Sequence, residues 1–153
     1  MSHIESVNVT ITDLAALKDA CTALGVDFVE HKKTYNWFGQ SVGDYPLPKG
    51  FKKEDLGQCD HVIRVPGVNY EVGVVPARNA DGTAAKGYTL LYDFWGHSGM
   101  HDGQKLKAKF STGLTKLVDA YSLAALKRKA SAKGLLTTTK VVDGKVHLTV
   151  RGF

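Results

Sequence analysis

At 153 residues, with 43% hydrophobic and 23% charged side chains and only 4 Pro, the chain has the length of one ordinary domain and a composition that excludes disorder and low complexity. No apolar run approaches the ~18 residues a membrane span needs, and the polar opening Met1, Ser2, His3 lacks the pattern of a secretory leader; the expectation is a soluble, cytoplasmic protein with residues 1–153 in a single domain. The net charge of +5 is unevenly spread, because residues 1–30 carry a net of −4 while residues 105–133 carry seven Lys and one Arg against Asp119.

Residues 5–12 alternate Val7, Val9 and Ile11 with Ser6, Asn8 and Thr10, the period of a strand with one face in a core. Asp13 or Thr12 then caps a helix of about three turns, whose apolar residues Leu14, Leu17, Cys21 and Leu24 recur at helical spacing before Gly25 ends it. Residues 26–38 are polar and aromatic and predict a second strand near a sheet edge, where charged side chains discourage further pairing. Residues 39–58 hold four Gly together with Pro46 and Pro48 and read as one long loop.

A third strand over residues 59–65 stops at Pro66-Gly67, a fourth begins with Tyr70, Val72 and Val74, and Asp81-Gly82 turns the chain into a fifth over residues 88–95. The second helical pattern starts near Asp102 or Gly103 and runs through Leu106, Phe110, Leu114, Leu117, Tyr121 and Ala125. Gly113 is a weak point in it, and Ser122 offers a second cap. Gly134 ends this pattern, and residues 137–150 predict a hairpin around Asp143-Gly144. Cys21 and Cys59 match no zinc or redox spacing and read as buried free thiols. The order of elements predicts an α+β fold: a two-layer sandwich with a mainly antiparallel or mixed sheet and two helical segments on one face, loosely ferredoxin-like.

The chemistry-bearing residues gather where the fifth strand meets the second helix. Asp93, Trp95, His97, His101 and Asp102 fall in or beside a Gly-punctuated turn, and a helix N-terminus next to such a turn offers unpaired N–H groups to an anion. Lys105, Lys109, Lys116 and Lys127 form one stripe if the helix is continuous, so that Trp95, His97, His101, Lys105, Lys109 and Lys116 are the candidate ligand-binding residues. Asp93, His97 and His101 are the candidates for acid–base chemistry, and His97 with His101, spaced four apart, for a metal. No established catalytic or nucleotide-hydrolysis motif accompanies them, and the sequence implies no cofactor.

Met1-Ser2-His3-Ile4, Asp13-Leu14 with Leu17-Lys18, the run from Cys59 through Asp60, His61, Val62 and Ile63 to Arg64, Asp93-Phe94-Trp95-Gly96, Gln104-Lys105 and the terminal hairpin are spread over nearly the full length. In these pieces the chain resembles the uncharacterised family typified by the plastid hypothetical chloroplast open reading frame thirty-five, with cyanobacterial, bacterial and phage relatives. The resemblance implies a small single-domain α/β protein and supplies no substrate. Phe94, where that family frequently has a second Trp, and the loop over residues 39–58 depart from its pattern.

Charge and motifs together predict a non-catalytic binding or accessory protein that recognises an anionic small molecule, a nucleotide, a nucleic acid or an acidic protein, and the resemblance adds phage origin as one reading. Two alternatives stand beside it. One is a small, metal-assisted enzyme centred on Asp93, His97 and His101; the other is an oligomeric accessory subunit whose exposed strand edges pair with another chain or a second copy.

Overall fold

The computed structural model describes residues 4–39, 46–95 and 102–152. Five strands, β1 (Ile4–Ser6), β2 (Asp27–Val29), β3 (His61–Arg64), β4 (Glu71–Arg78) and β5 (Ala84–Asp93), form one antiparallel sheet in the order β1-β5-β4-β3-β2. The predicted meander of β3, β4 and β5 is its centre, in register Ile63↔Val72 and Val74↔Leu90. Helix α1 (Leu14–Leu24) spans from one sheet edge to the other, since β1 and β2 run in the same direction with three strands between them. Asp13 caps it by accepting from the Ala16 N–H at 3.0 Å, and Gly25 closes it at φ 69, both as the sequence predicts.

One face of the sheet carries Ile63, Val65, Val72, Val74, Leu90 and Tyr92, and the helices bury their apolar sides against it. Leu17 of α1, Leu106 and Phe110 of α2 (Asp102–Phe110), and Leu117 of α3 (Thr115–Ala132) are fully buried there. Truncating any of these four to Ala costs roughly 2–5 kcal/mol. The Tyr121 hydroxyl ties α3 to the start of α1 by accepting the N–H groups of Thr12 at 3.0 Å and Asp13 at 3.3 Å. The α+β class with helices on one face is thus what forms.

The second helical pattern is divided, at Gly113 rather than at Ser122. Ser111, Gly113 and Leu114 all have positive φ (68, 68 and 54), so the chain leaves α2, makes a single 3-10 turn and restarts as α3. The two non-Gly left-handed residues cost of order 1–3 kcal/mol each. Full burial of Leu114 offsets part of that cost.

The opposite face of the sheet is covered by irregular chain. Ile4, Val62, Val75 and Leu91 lie under Tyr35, Phe51 and Cys59, with Trp37 and Leu56 packed alongside. Gly73 makes this possible: a Cβ there would fall 2.3 Å from the Tyr35 ring, so only a Gly lets that ring lie flat on β4. The polar second strand predicted over residues 26–38 is therefore confined to three residues. Beyond Val29 the chain crosses this face, with Tyr35 N–H donating to the Gly57 carbonyl at 2.9 Å. The described part of the predicted long loop is likewise packed, and Arg78 holds Asp55 within it at 2.7 Å.

Strands β6 (Leu136–Val142) and β7 (Lys145–Arg151) pair only with each other among the described residues. Their turn places Asp143 at φ 50 and Gly144 at φ 75, the two left-handed positions that make Asp-Gly a hairpin turn. No helix among the described residues is long and apolar enough to cross a membrane.

Candidate anion-binding surface at the end of β5

β5 ends in a charged residue that the fold has to satisfy internally. Asp93 is 1% exposed, and its carboxylate accepts the Trp95 N–H at 2.8 Å and the Phe38 N–H at 3.3 Å. These bonds turn the chain out of the strand and bring the Phe38 and Trp95 rings to 4.4 Å at 49°. Among the described residues Asp93 positions main chain from two segments.

Helix α2 begins hard against the same strand end. A Cβ on Gly103 would lie 2.1 Å from the Trp95 carbonyl oxygen and 2.5 Å from that of Phe94, so Gly is required for the approach. Gln104 adds a side-chain hydrogen bond to the Phe94 carbonyl at 3.3 Å. On the other side Asp102 accepts from the Asn69 N–H at 2.9 Å and from the Asn69 amide at 3.5 Å, which ties the first turn of α2 to the β3–β4 connection. Tyr70 lies below this junction, and burial, then the nearby charges of Asp93 and Asp102, push its phenol up to about 12.

Trp95 and the start of α2 are therefore brought together, and Lys105 and Lys109 follow within the same helix, Lys105 exposed and Lys109 half-buried. Lys116 and Lys127 lie beyond the break at Gly113, so the single stripe expected of a continuous helix is replaced by two separate pairs on α2 and α3. None of these four lysines forms an ion pair among the described residues. His97 and His101, the candidates for metal binding and acid–base chemistry, lie outside the described residues, as does the turn that carries them. Among the described residues no three His, Cys, Asp or Glu side chains gather as a metal site would require.

Next to this junction sits a cluster that sequence reasoning missed. The Glu71 carboxylate, its side chain 1% exposed, accepts from Lys32 Nζ at 2.7 and 3.0 Å, from Arg64 Nε at 2.9 Å and from the Asn36 N–H at 2.9 Å. Burial alone would raise its pKa, but the bonds from Lys32, Asn36 and Arg64 outweigh it and hold the carboxyl below the usual glutamate value. The cluster fixes residues 32–36, and so the approach of Phe38 to Trp95. A cleft of ≈ 330 Å³ lined by Asn36, Arg64, Val65, Gly67, Asn69 and Glu71 opens beside it, with the half-exposed Arg64 on its wall.

The arrangement is chemically suited to holding an anion: lysines without an ion pair among the described residues lie on a helix whose first turn is locked against the main chain of Phe94 and Trp95. Set against known proteins, the chain matches no family model, no curated protein and no solved structure.

Proposed function

We propose that this protein is a non-catalytic binding protein for a nucleic acid strand or nucleotide. Lys105 and Lys109 contact phosphate, Trp95 offers a stacking surface, and Lys116 extends the basic surface beyond the break. One observation carries this reading: the carboxylates near the junction are consumed internally, whereas these lysines have no ion-pair partner among the described residues. Asp93 and Asp102 serve main-chain N–H groups, and Glu71 serves Lys32 and Arg64. Uncompensated cations beside an aromatic ring attract phosphates and release their counterions. A polyanion of this kind is met in the cytoplasm, and the resemblance to a family with phage members is compatible with it.

The test is fluorescence anisotropy with labelled single-stranded DNA, duplex DNA and a nucleoside triphosphate across a NaCl series. For a single strand each phosphate contact contributes about 0.7 to the slope of log affinity against log salt, so Lys105→Ala with Lys109→Ala lowers that slope by about 1.4. Trp95→Ala removes about 1–3 kcal/mol if a base stacks there. Affinity and slope unchanged in the double Lys variant would take these residues out of any site. Binding to an acidic protein but to none of the three probes would replace the nucleic acid with the other partner the charge allows.

A further inference from the structure

The Glu71 cluster anchors Arg64 without using it up. Oε1 of the carboxylate accepts from Lys32 Nζ and the Asn36 N–H, and Oε2 accepts from Lys32 Nζ and Arg64 Nε. A carboxylate offers about four lone-pair sites, so these bonds fill it and leave nothing for the Nη groups of Arg64. Asp27 stands opposite Arg64 in the β2–β3 register, yet the two form no ion pair among the described residues. The other ion-paired arginines are spent differently. Arg78 commits Nη1 and Nη2 to Asp55 and the Gly50 carbonyl, and Arg128 commits Nε and Nη2 to Asp19. Arg64 is held through Nε alone, with its side chain 44% exposed on the wall of the ≈ 330 Å³ cleft. A guanidinium fixed at its root, with both Nη groups open, is preorganised for a pair of anionic oxygens.

We propose that this cleft is a binding site for the phosphate group of a small phosphomonoester, which the two Nη groups of Arg64 grip end-on. A carboxylate would spend both its oxygens on that fork, whereas a phosphate monoester has a third terminal oxygen for the amides of Asn36 and Asn69, which line the cleft. Both amides have donors to give: that of Asn36 has no bond among the described residues, and that of Asn69 makes one long contact, 3.5 Å, with Asp102. Within the cluster two cations stand against one carboxylate, which favours a dianion. Of the further carboxylates, Asp27 is exposed and screened by water, and Asp102 is engaged by the Asn69 N–H. The volume is at the low end of small-molecule sites, roughly 300–1,000 Å³, and Val65 and Val68 give the remainder of the ester an apolar wall. This site is separate from the lysines of α2, so the two readings fail independently.

The test is nitrogen-edited NMR of the full chain at fixed ionic strength, titrated with phenyl phosphate and, in parallel, with benzoate. Phenyl phosphate should shift the Arg64 Nε–H and the Asn36 amide signals with a roughly millimolar Kd, and benzoate should bind about tenfold more weakly. Arg64→Lys keeps a cation for Glu71 but lacks the fork, and should weaken phenyl phosphate binding about tenfold or more while the rest of the spectrum stays native. Should that variant unfold, Asn36→Ala, which keeps the main-chain bond to Glu71, should weaken binding severalfold. Lys140→Ala, which removes a cation from the hairpin, should leave it unchanged. No shift at Arg64 at the highest soluble phenyl phosphate, shifts confined to α2, benzoate binding as tightly, affinity that survives Arg64→Lys or Asn36→Ala, or an equal loss with Lys140→Ala overturns the proposal.

Discussion

Replacing Glu71 by Gln removes one negative charge from beneath two cations and leaves the shape of the side chain in place. The carboxylate accepts charged hydrogen bonds from Lys32 and Arg64 and one main-chain bond from Asn36. Bonds to charged groups contribute roughly 1.5–3 kcal/mol each when both partners are dry. Here Lys32 is 29% and Arg64 44% exposed, so each cation regains water when the charge is lost, and about 1 kcal/mol apiece is the discounted figure. The Gln oxygen can keep the Asn36 N–H, but its amide group turns a donor toward donors, which brings the expected loss to about 2–3 kcal/mol. Urea unfolding followed by circular dichroism reads this directly. The sign with pH follows from a folded-state pKa held below the ordinary value of 4.5. The wild-type advantage is fully present above that value and is lost as pH falls through the folded-state pKa. A gap of less than about 1 kcal/mol at neutral pH, or one that persists undiminished at about pH 3, would refute the reasoning.

Gly103→Ala should destabilise by more than about 2 kcal/mol in urea despite a helix-propensity gain of about 1 kcal/mol, because the added Cβ meets Trp95 and Phe94 main chain that cannot swing aside; equal or greater stability would mean α2 does not dock this closely. Asp13→Ala should cost about 1 kcal/mol through the lost cap of α1, and an unchanged unfolding midpoint would remove that bond from the account. Burial pushes the Cys21 and Cys59 thiols up to about 12, so a disulfide reagent near pH 8 should modify the native chain roughly a thousandfold more slowly than the urea-unfolded one; rapid reaction of both thiols in the folded protein would contradict their placement.

What the sequence made legible was local. Asp13, Gly25, Asp81-Gly82, Gly134 and Asp143-Gly144 each act through their own φ or side chain on neighbours a few residues away, and the elements they bound are present, although β5 spans Ala84–Asp93 rather than 88–95 and the first strand, expected over 5–12, is Ile4–Ser6 alone. The meander and the apolar stripe of Leu106, Phe110 and Leu117 follow from periodicity in the same way. Long-range partners left no such trace. Glu71 sits in a strand buried on both faces, which alternation alone does not show; of its partners only Arg64, opposite it on β3 and seven residues away, is near in sequence, while Asn36 and Lys32 are 35 and 39 residues away. The cover over the second sheet face was missed for a related reason: Tyr35, Phe51 and Leu56 are too irregularly spaced to show a period, and it is Gly73 on another strand that makes room for the ring. At the candidate site, Gly103 carried a readable signal, a Gly at the start of a helix, but its meaning as a contact with Trp95 required the fold. The lysine stripe failed on continuity. Gly113 was visible as a weak point, whereas the left-handed Ser111 and Leu114 beside it were not.

The distribution of charge after folding has a consequence that salt can read without any ligand. Many of the carboxylates are spent on the fold: Asp13 on a cap, Asp55 on Arg78, Glu71 on Lys32 and Arg64, Asp93 and Asp102 on main-chain N–H groups. The net charge of +5 is therefore concentrated on α2, α3 and the hairpin. Lys105 with Lys109, and Lys129 with Lys133, are like charges four residues apart, and such pairs destabilise a helix by roughly 0.2–0.5 kcal/mol each at low salt. Sodium chloride screens these repulsions, but it also screens the exposed attractive pairs Lys18–Glu30, Lys33–Asp60 and Arg128–Asp19. Exposed pairs of that kind contribute about 0–1 kcal/mol each, much as the helix repulsions do, and in the Glu71 cluster only the carboxylate is buried, so the sign is set by the excess of cations in a chain of net charge +5, whose mutual repulsion salt relieves. Stability of the free chain should rise by about 0.5–1 kcal/mol between low and moderate NaCl. A steady fall over the same range would mean that the lysines of α2 and α3 are neutralised within the chain, and it would remove the electrostatic ground on which the proposed phosphate contacts rest.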